Sequence, residues 1–296
     1  MNLALTEHLH AGAGVNFVRA KDELRAALAA PRREGRSIGL VPTMGYLHEG
    51  HLSLLRAARE ECDVVVMSLF VNPTQFGPGE DFERYPRDED RDAALAAEAG
   101  ADLIYAPPLE QVYPEGFATR VEVDGLTEVL CGDPSRRGPE HFRGVTTVVA
   151  KLFNTVDPDI AYFGQKDAQQ VAVIRRMVRD LDFQLRIEAL PIVREPDGLA
   201  MSSRNAYLDS ADRERATALS RALRAVERVA DEDSLAAGLE AGRRELQAAG
   251  IDPEYLEARD AESLELLGEL NGRAALVAVA ARVGGTRLID NVLIWP

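Results

Sequence analysis

The feature that most constrains the fold is a series of short apolar runs separated by helical patterns. Most of the runs are nearly continuous in apolar residues, which is typical of strands in a parallel sheet covered on both faces. We predict strands at Ile38–Val41, Cys62–Val71, Ala101–Ala106, Ile160–Phe163 and Gln184–Leu190. We predict helices at Phe17–Ala30, from about His48 onward, and at Asp88–Gly100, Val145–Asn154 and Gln169–Asp180. This alternation predicts an α/β chain with a doubly wound parallel sheet.

The chain changes character near Pro191 and Gly198, where we place a domain boundary. We expect a Rossmann-like domain at residues 15–191 and a smaller α+β domain at 192–296 that acts as a lid. The smaller domain is predicted to hold a small antiparallel sheet and two helices, with helices at Ser210–Asp231 and Ser234–Ala249 and strands at Tyr255–Ala258, Ala274–Ala281 and Thr286–Leu293. Residues 1–14 lack the features of a secretory signal and are predicted to be a loose leader.

Composition narrows the class of partner. The formal net charge of −15 opposes nonspecific binding to nucleic acid or to an anionic membrane, so an anionic substrate would need a locally basic pocket. The two cysteines do not form a disulfide framework, which fits a reducing compartment. No stretch approaches the roughly 18 apolar residues of a membrane span. We therefore expect a cytoplasmic protein whose substrates are small molecules.

A pair of histidines follows the first predicted strand at the start of a helix. His48 and His51 are three residues apart, so they share one face of a helical turn. A helix start presents unpaired N–H groups and a partial positive charge, which suit a phosphate. Two imidazoles at this place can donate hydrogen bonds to a polyphosphate, and Gly50 between them lets a base or ribose approach the backbone.

Other interpretations of the pair stay open at this point. Two histidines at this spacing also fit a solvated helix face with no function. They also fit part of a zinc site, although closed zinc sites need three or four ligands. The only cysteines, Cys62 and Cys131, are far apart and do not form a C-x-x-C pair, so the pattern gives zinc little support.

Further polar clusters lie at predicted strand ends or at the domain boundary. Gly164–Asp167 offers a flexible turn, a cation and a carboxylate, although a surface ion pair fits the same four residues. Gln75 and Gln170 can each donate and accept, as a substrate with carboxylate and hydroxyl groups requires, but each also fits a surface amide. Met201–Arg204 combines two hydroxyls with a guanidinium that can bind a triphosphate, although an ordinary Ser-Ser turn fits the same residues.

Six motifs taken together resemble the pantoate–β-alanine ligase (pantothenate synthetase) family, and the likeness runs from about Val15 to Pro296. They are Pro42–His51, Phe70–Gly77, Tyr85–Arg87, His141–Val145, Tyr162–Asp167 and Met201–Asn205. His48-Glu49-Gly50-His51 and Met201–Arg204 also resemble the HIGH and KMSKS elements of the wider nucleotidylyltransferase superfamily. The resemblance implies that ATP and pantoate form pantoyl adenylate and pyrophosphate. β-Alanine then attacks the adenylate and releases pantothenate and AMP.

The resemblance also assigns residue roles. His51 is the expected general acid toward the departing phosphate, and His48 is expected to bind phosphate beside it. Gln75 and Gln170 are expected to bind pantoate, with Gln75 also near β-alanine. The expected ATP-binding residues are Pro42, Met44, Gly45, Tyr46, Leu47, His48, Glu49, Gly50, His51, Gly164, Gln165, Lys166, Asp167, Val193, Met201, Ser202, Ser203 and Arg204.

The resemblance further implies Mg²⁺ as a companion of ATP rather than as a metal held by protein ligands alone. Asn72 and Asp92 align with polar positions of the family's pocket, and Asp92 is a weak candidate for a metal contact. Arg91 stands where relatives often carry an acid, which places a two-carboxylate metal site in doubt. The family also implies a homodimer formed through the first domain.

Three other functions compete with the ligase. A nucleotidylyltransferase acting on a phosphorylated acceptor shares the histidine motif, but it yields an adenylylated acceptor instead of AMP. The Asn72–Gly77 loop and the second domain favour the ligase. An aminoacyl-tRNA synthetase is disfavoured by the small size and the net charge of −15. A nucleotide-binding regulator without catalysis is disfavoured because the histidine and Ser-Arg motifs are intact.

Overall fold

The computed structural model describes residues 15–232 and 234–295. The loose leader predicted at residues 1–14 lies outside the described residues. Six strands form one fully parallel sheet in the order β1-β4-β3-β2-β5-β6. They are β1 (Asn16–Val18), β2 (Ile38–Thr43), β3 (Val64–Leu69), β4 (Leu103–Tyr105), β5 (Ile160–Gly164) and β6 (Arg186–Leu190). The predicted doubly wound, Rossmann-like α/β class is therefore confirmed.

Helices cover both faces of this sheet. Among the described residues they are α1 (Lys21–Arg33), α2 (Glu49–Glu61), α3 (Glu89–Glu98), α4 (Leu109–Val112), α5 (Pro139–Val156) and α6 (Ala168–Asp180). Apolar residues of α1, α5 and α6 pack on one face, while α2 and α3 pack on the other. This two-sided cover explains why the central strands are apolar at nearly every position.

Three local predictions for the first sheet and its helices were wrong. Phe17 was assigned to a helix, but it pairs with Ile104 in β1, and the helix begins only after Ala20. A three-residue strand is too short to show its own period beside the stronger helical pattern that follows. Pro42 was expected to end β2, yet the strand continues to Thr43. The pairing of β2 with β5 ends at Leu40, so Pro42 occupies a position where a missing N–H is tolerated.

The third wrong boundary concerns α5, which was predicted to begin at Val145 and begins at Pro139. Pro139 occupies the first helical turn, where its missing N–H leaves no helical hydrogen bond unmade. The extra turns place His141 on the helix and bring the N-terminal part of α5 against the loop after β3. The shift is important because residues of those turns, such as His141, line the candidate site.

The strand order reverses between β2 and β5. From β2 the chain builds outward through β3 and β4, and it then returns to add β5 and β6 on the other side. The crevice at such a reversal, beyond the carboxyl ends of the strands, is where doubly wound sheets bind ligands. The residues that follow β2 and β5 therefore face each other across this crevice.

The rest of the chain forms a second, antiparallel sheet with its own helices. Its strands are β7 (Pro253–Asp260), β8 (Ala275–Val283) and β9 (Thr286–Ile294), and its helices are α7 (Ser210–Ala216), α8 (Ala218–Glu232) and α9 (Leu235–Ala248). The single helix predicted at Ser210–Asp231 is interrupted at Thr217, whose hydroxyl donates to the Glu214 carbonyl at 2.7 Å. The domain boundary near residue 191 stays a prediction.

The central strand of the second sheet is buried on both faces. Leu276 and Ala278 join the core of the first sheet, whereas Val277 and Val279 join a core formed with α8 and α9. One face of the small sheet is therefore continuous with the core of the large one. In the described part of the chain, no helix is long and apolar enough to cross a membrane.

Gly144 sets the distance between α5 and the loop after β3. A Cβ atom at this position would lie 2.4 Å from the Thr74 carbonyl oxygen and 2.7 Å from the Gln75 nitrogen. The Gly144 carbonyl in turn accepts a hydrogen bond from the Asn72 side chain at 3.1 Å. Only glycine allows the helix backbone to lie this close to the loop.

We therefore expect Gly144→Ala to lower the free energy of unfolding by about 1–3 kcal/mol, because the added methyl group forces the loop away from the helix. Urea denaturation measures the change. Gly268→Ala is the control, since a Cβ there would meet nothing within 4 Å. Equal stability of the two variants would show that the loop moves without cost.

Candidate active site

A cavity of about 230 Å³ lies at the crevice between β2 and β5. The carboxyl ends of both strands open into it, and the Met201–Arg204 loop covers it from the second part of the chain. The predicted site residues that line it are Pro42, Met44, His48, Gly50, His51, Asn72, Gln75, Gly164, Lys166, Asp167, Gln170, Val193, Met201, Ser202, Ser203 and Arg204. Residues from separate parts of the sequence thus meet at one place.

Five of the expected ATP-binding residues do not line this cavity, namely Gly45, Tyr46, Leu47, Glu49 and Gln165, and neither does Asp92. Leu47 is buried in the core beside α2, and Glu49 pairs with Arg56 on the outer face of the helix. Gly45 and Tyr46 form the turn itself, with φ of +86° and +51°. Gly45, Tyr46 and Leu47 thus belong to the turn between β2 and α2, and direct contact of all five residues with ATP stays a prediction.

His48 and His51 form the N-terminal cap of α2. The His48 Nδ1 accepts from the Gly50 N–H at 3.1 Å, and the His51 Nδ1 accepts from the His48 N–H at 3.3 Å. Their rings lie 4.1 Å apart between centroids. A Cβ on Gly50 would come within 2.9 Å of the His48 ring, so glycine is needed for this cap as well as for access by a ligand.

Both histidines are neutral in the free site. Burial, with the charge of Lys166 nearby, lowers the pKa of His48 to about 4. Burial also holds the pKa of His51 well below its usual value, with the neighbouring His48 and Lys166 adding to the effect. In a neutral imidazole whose Nδ1 accepts a hydrogen bond, Nε2 carries the hydrogen. Each histidine therefore offers a neutral Nε2–H donor, which is suited to a phosphate oxygen.

Asp92 holds the turn that precedes the histidines. Its side chain is buried, and its two oxygens accept from the N–H groups of Tyr46 at 2.6 Å and Leu47 at 2.7 Å. Arg91 lies 3.5 Å from the carboxylate and also donates to the Leu47 carbonyl. Burial raises the pKa of Asp92 despite these hydrogen bonds. In the part of the chain that the structure describes, no three His, Cys, Asp or Glu side chains gather around a metal position.

Asn72 lines the cavity, but its side-chain hydrogen bonds are made within and around the loop after β3. Its amide donates to Gly144 O and to Gln75 Oε1, both at 3.1 Å, and its oxygen accepts from the Tyr113 hydroxyl at 2.8 Å. The Gln75 amide donates to the Met44 sulfur at 3.2 Å, which joins the loop to the β2 turn. Asn72 thereby fixes the side chain through which Gln75 is expected to meet substrate.

Two neighbouring glutamines have different environments. Gln169 is buried: its side-chain oxygen accepts from the Cys131 N–H at 3.0 Å, and its side-chain nitrogen donates to the Leu126 carbonyl at 2.9 Å. Gln170 lines the cavity instead. Gln170 is therefore placed where it could meet a substrate, and its substrate contact stays a prediction.

Lys166 reaches the cavity from a short 3-10 turn after β5 and lies 3.9 Å from the Asp167 carboxylate. The second sheet holds this turn from behind. The buried Asn291 side chain donates to the carbonyls of Gln165 and Lys166, both at 2.9 Å. The position of the cation therefore depends on β9, a contact that sequence reasoning did not predict.

The Met201–Arg204 loop lines the same cavity as the two histidines. The Ser203 hydroxyl donates to the Tyr46 carbonyl at 3.3 Å, which ties the loop to the β2 turn. Ser202 caps the following 3-10 turn by accepting from the Arg204 N–H at 3.3 Å. The Arg204 guanidinium binds Asp81 through two hydrogen bonds. The loop therefore presents serine hydroxyls and one guanidinium to the cavity.

Sequence reasoning missed Arg137 and His141 as individual site residues, although both line the cavity. The His141 Nδ1 donates to the Gln75 carbonyl at 2.8 Å, and its Nε2 accepts from Arg137 at 3.2 Å. Burial and the Arg137 charge lower the pKa of His141 to about 3. The His141–Val145 motif was the available signal. Because the helix was predicted to begin at Val145, His141 was not placed on it and its orientation could not be predicted.

An apolar wall of the cavity was also missed, although the predicted helix Val145–Asn154 contains the residues that form it. Four residues of α5 line it at helical spacing: Val145, Val148, Val149 and Leu152. They line the same cavity as Gln75 and Lys166. The cavity can thus hold a ligand with a branched apolar part and a charged part.

The three buried histidines predict a loss of stability in acid. Their folded pKa values lie below the unfolded value of about 6.5, so their contribution to stability is full above that pH and is lost as the pH falls toward the folded values, about 4 for His48 and about 3 for His141. We expect His141→Asn to reduce the slope of unfolding free energy against pH by up to about 1.4 kcal/mol per pH unit. Urea denaturation between pH 5.5 and 7 measures the slope, and equal slopes in the two proteins would contradict a neutral buried His141.

Comparison of the sequence with known proteins points to one family. The family model for pantoate-beta-alanine ligase matches residues 16–293. Pantothenate synthetase of Moorella thermoacetica is 58% identical over 92% of this chain and 95% of its own length. That of Acetivibrio thermocellus is 51% identical over 95% of this chain and 99% of its own.

Solved structures give the same result. The crystal structure of pantothenate synthetase from Thermus thermophilus has a TM-score of 0.89 at 51% identity, covering 95% of this chain and 100% of that one. Pantoate-beta-alanine ligase from Francisella tularensis, complexed with beta-gamma ATP and beta-alanine, has a TM-score of 0.79 at 33% identity over 94% of this chain and 97% of that one. The chain described here therefore belongs to the pantoate–β-alanine ligase family.

Proposed function

We propose that this protein condenses pantoate with β-alanine at the expense of ATP, forming pantothenate, AMP and pyrophosphate through a pantoyl-adenylate intermediate. One observation carries the proposal. Two neutral histidine donors at the start of α2, Lys166 and the Ser202–Arg204 loop all face one cavity that also has an apolar wall. Family membership supports the same reaction. The rival proposal, nucleotidyl transfer to a phosphorylated acceptor, does not explain the apolar wall beside Gln75.

In the first half-reaction, a carboxylate oxygen of pantoate attacks the α-phosphorus of ATP, and the bond to the β-phosphate oxygen breaks. Charge then builds on the departing pyrophosphate. The Nε2–H groups of His48 and His51 would stabilise it, together with the cations of Lys166 and Arg204. Because both imidazoles are neutral, we propose that His51 acts as a hydrogen-bond donor in the free site and gains a proton only when phosphate charge is present.

In the second half-reaction, the amine of β-alanine attacks the acyl carbon of the adenylate, and AMP leaves. The branched part of pantoate would pack on Val145 and Val149, while Gln75 and Gln170 would bind its carboxylate and hydroxyl groups. The apolar wall also limits water around the acyl adenylate, which favours attack by the amine over hydrolysis.

Mg²⁺ is the expected companion of ATP in this reaction, where it would neutralise the pyrophosphate charge. Among the described residues, Asp167 lines the cavity and could contact the metal. The oxygens of Asp92 already accept hydrogen bonds from backbone N–H groups. We propose that Mg²⁺ is held chiefly by the phosphates, and that the enzyme works in the cytoplasm.

We also propose a homodimer through the first part of the chain. Residues 114–120 are all exposed, and Leu109 and Phe117 present apolar side chains beside them. An open groove of about 770 Å³ runs next to this segment and reaches Thr74 and Gly144. A partner seated there would lie directly behind the loop that carries Gln75.

We expect wild type to sediment as a dimer and Phe117→Ser to shift toward monomer, because the change removes an apolar contact from the proposed interface. Sedimentation velocity at several protein concentrations measures the shift. Trp295→Ser is the control, since Trp295 is also an exposed aromatic residue but lies at the end of β9. A monomeric wild type, or equal behaviour of both variants, would rule out this interface.

The central test is the exchange of labelled pyrophosphate into ATP in the absence of β-alanine. We expect exchange that requires pantoate and Mg²⁺ in wild type. His51→Ala should reduce it by about 100-fold or more, since one donor to the leaving group is lost. Glu60→Ala, an exposed change at the far end of α2, is the control and should behave like wild type.

Two results would contradict the proposal. Exchange that needs a phosphorylated acceptor and ignores pantoate would favour the nucleotidylyltransferase. ATP binding without exchange for either substrate would indicate a nucleotide-binding protein without this chemistry.

A further inference from the structure

Two adjacent acids, Glu80 and Asp81, each bind one of the arginines of the site. They lie in the segment 77–84 that follows the Gln75 loop. Asp81 binds Arg204 from the second part of the chain, while Glu80 binds Arg137, which lies just before α5. None of the motifs in the sequence analysis gave these acids a role. The same short segment therefore contacts both sides of the cavity.

The contact between Asp81 and Arg204 uses one edge of the guanidinium. Nε donates to Oδ2 at 2.9 Å and Nη2 donates to Oδ1 at 3.0 Å. The Tyr85 ring lies 5.6 Å from the guanidinium carbon and supports its flat face. Among the described residues, nothing accepts from Nη1. The carboxylate thus fixes the plane of the guanidinium while the Nη1 edge stays available to an anion.

The contact between Glu80 and Arg137 has the same two-bond form, but it connects to the Gln75 loop. Nε donates to Oε1 at 2.7 Å and Nη2 donates to Oε2 at 2.6 Å. Arg137 then donates through Nη1 to His141 and through Nη2 to the Gln75 carbonyl at 3.3 Å, and His141 donates to the same carbonyl. Glu80 therefore acts at a distance on the backbone of Gln75, which is the residue expected to meet pantoate and β-alanine.

Both acids are ionised at neutral pH. Burial raises the pKa of each carboxyl, but hydrogen bonds and charge from the paired arginine outweigh burial, so both values lie below the usual range. Partly buried, charge-assisted pairs of this kind hold an arginine in one orientation better than an exposed ion pair does. Glu83, on the same segment, is exposed and pairs with neither arginine.

We propose that Glu80 and Asp81 are positioning residues that divide the work between the substrates: Asp81 aims Arg204 at the polyphosphate of ATP, and Glu80 aims Gln75 at the acid and amine through Arg137 and His141. The proposal rests on the proposed function, since it assigns each acid to one substrate of that reaction. The acids do not touch substrate; each acts through the group that it orients.

The test is steady-state kinetics on Asp81→Asn, Glu80→Gln and the control Glu83→Gln. We expect Asp81→Asn to raise the KM for ATP about tenfold, the effect of losing one charge-assisted contact, with little change in the KM for pantoate. Glu80→Gln should show the reverse pattern. Glu83→Gln should match wild type. In an Arg204→Lys background, Asp81→Asn should have no further effect on the KM for ATP, because the planar guanidinium that it orients is absent.

Each other outcome overturns the proposal. A lower KM for ATP in Asp81→Asn would show that the carboxylate competes with phosphate for Arg204. Equal changes in both KM values for both variants would show a general structural role, and a melting temperature measured alongside identifies misfolding. These failures differ from failure of the proposed function, in which wild type itself shows no pantoate-dependent exchange.

Discussion

The site depends on the carboxylate of Asp92 and on the two hydrogen bonds that it accepts from backbone N–H groups. Gly45 and Tyr46 adopt positive φ so that the chain can leave β2 and enter α2 within a few residues. This turn directs the N–H groups of Tyr46 and Leu47 inward, and the buried Asp92 side chain binds both. A Cβ on Gly45 would lie 2.9 Å from the same carboxylate. The start of α2, and with it the orientation of both histidines, follows from this contact.

Charge in the site is arranged to suit an anion within an acidic protein. The chain carries a net charge of −15, yet the cavity contains Lys166, Arg137 and Arg204. Each of these cations lies beside an acid, so none is a buried and unpaired charge, which would be costly. The histidines add donors without adding charge. This combination lets the free site stay stable, and lets incoming phosphate meet oriented donors that need little rearrangement.

Sequence reasoning succeeded where a pattern is local and long. The strands and most helices follow from apolar periodicity, and clusters at the carboxyl ends of β2, β3 and β5 converge because parallel strands end at one edge. Sequence reasoning failed where the role of a residue depends on a single contact with a distant part of the chain. Asp92 was predicted only as a polar pocket position and a weak candidate for a metal contact, because nothing near it in sequence shows that it binds the N–H groups of residues 46 and 47. Glu80, Asp81 and Asn291 were missed for the same reason, since their partners lie 57 or more residues away.

The packing of the second sheet limits how a lid can move. Leu276 and Ala278 of β8 belong to the core of the first sheet, and Asn291 of β9 holds the turn that carries Lys166. Moving the whole unit away would expose these side chains, at about 1.5–3 kcal/mol for a residue the size of Leu276, and would release Lys166 from its support. The Met201–Arg204 loop is attached more lightly, through Ser203 to Tyr46 and Arg204 to Asp81. Opening for ATP at this loop alone therefore costs less than opening of the whole unit, and it leaves the lysine in place.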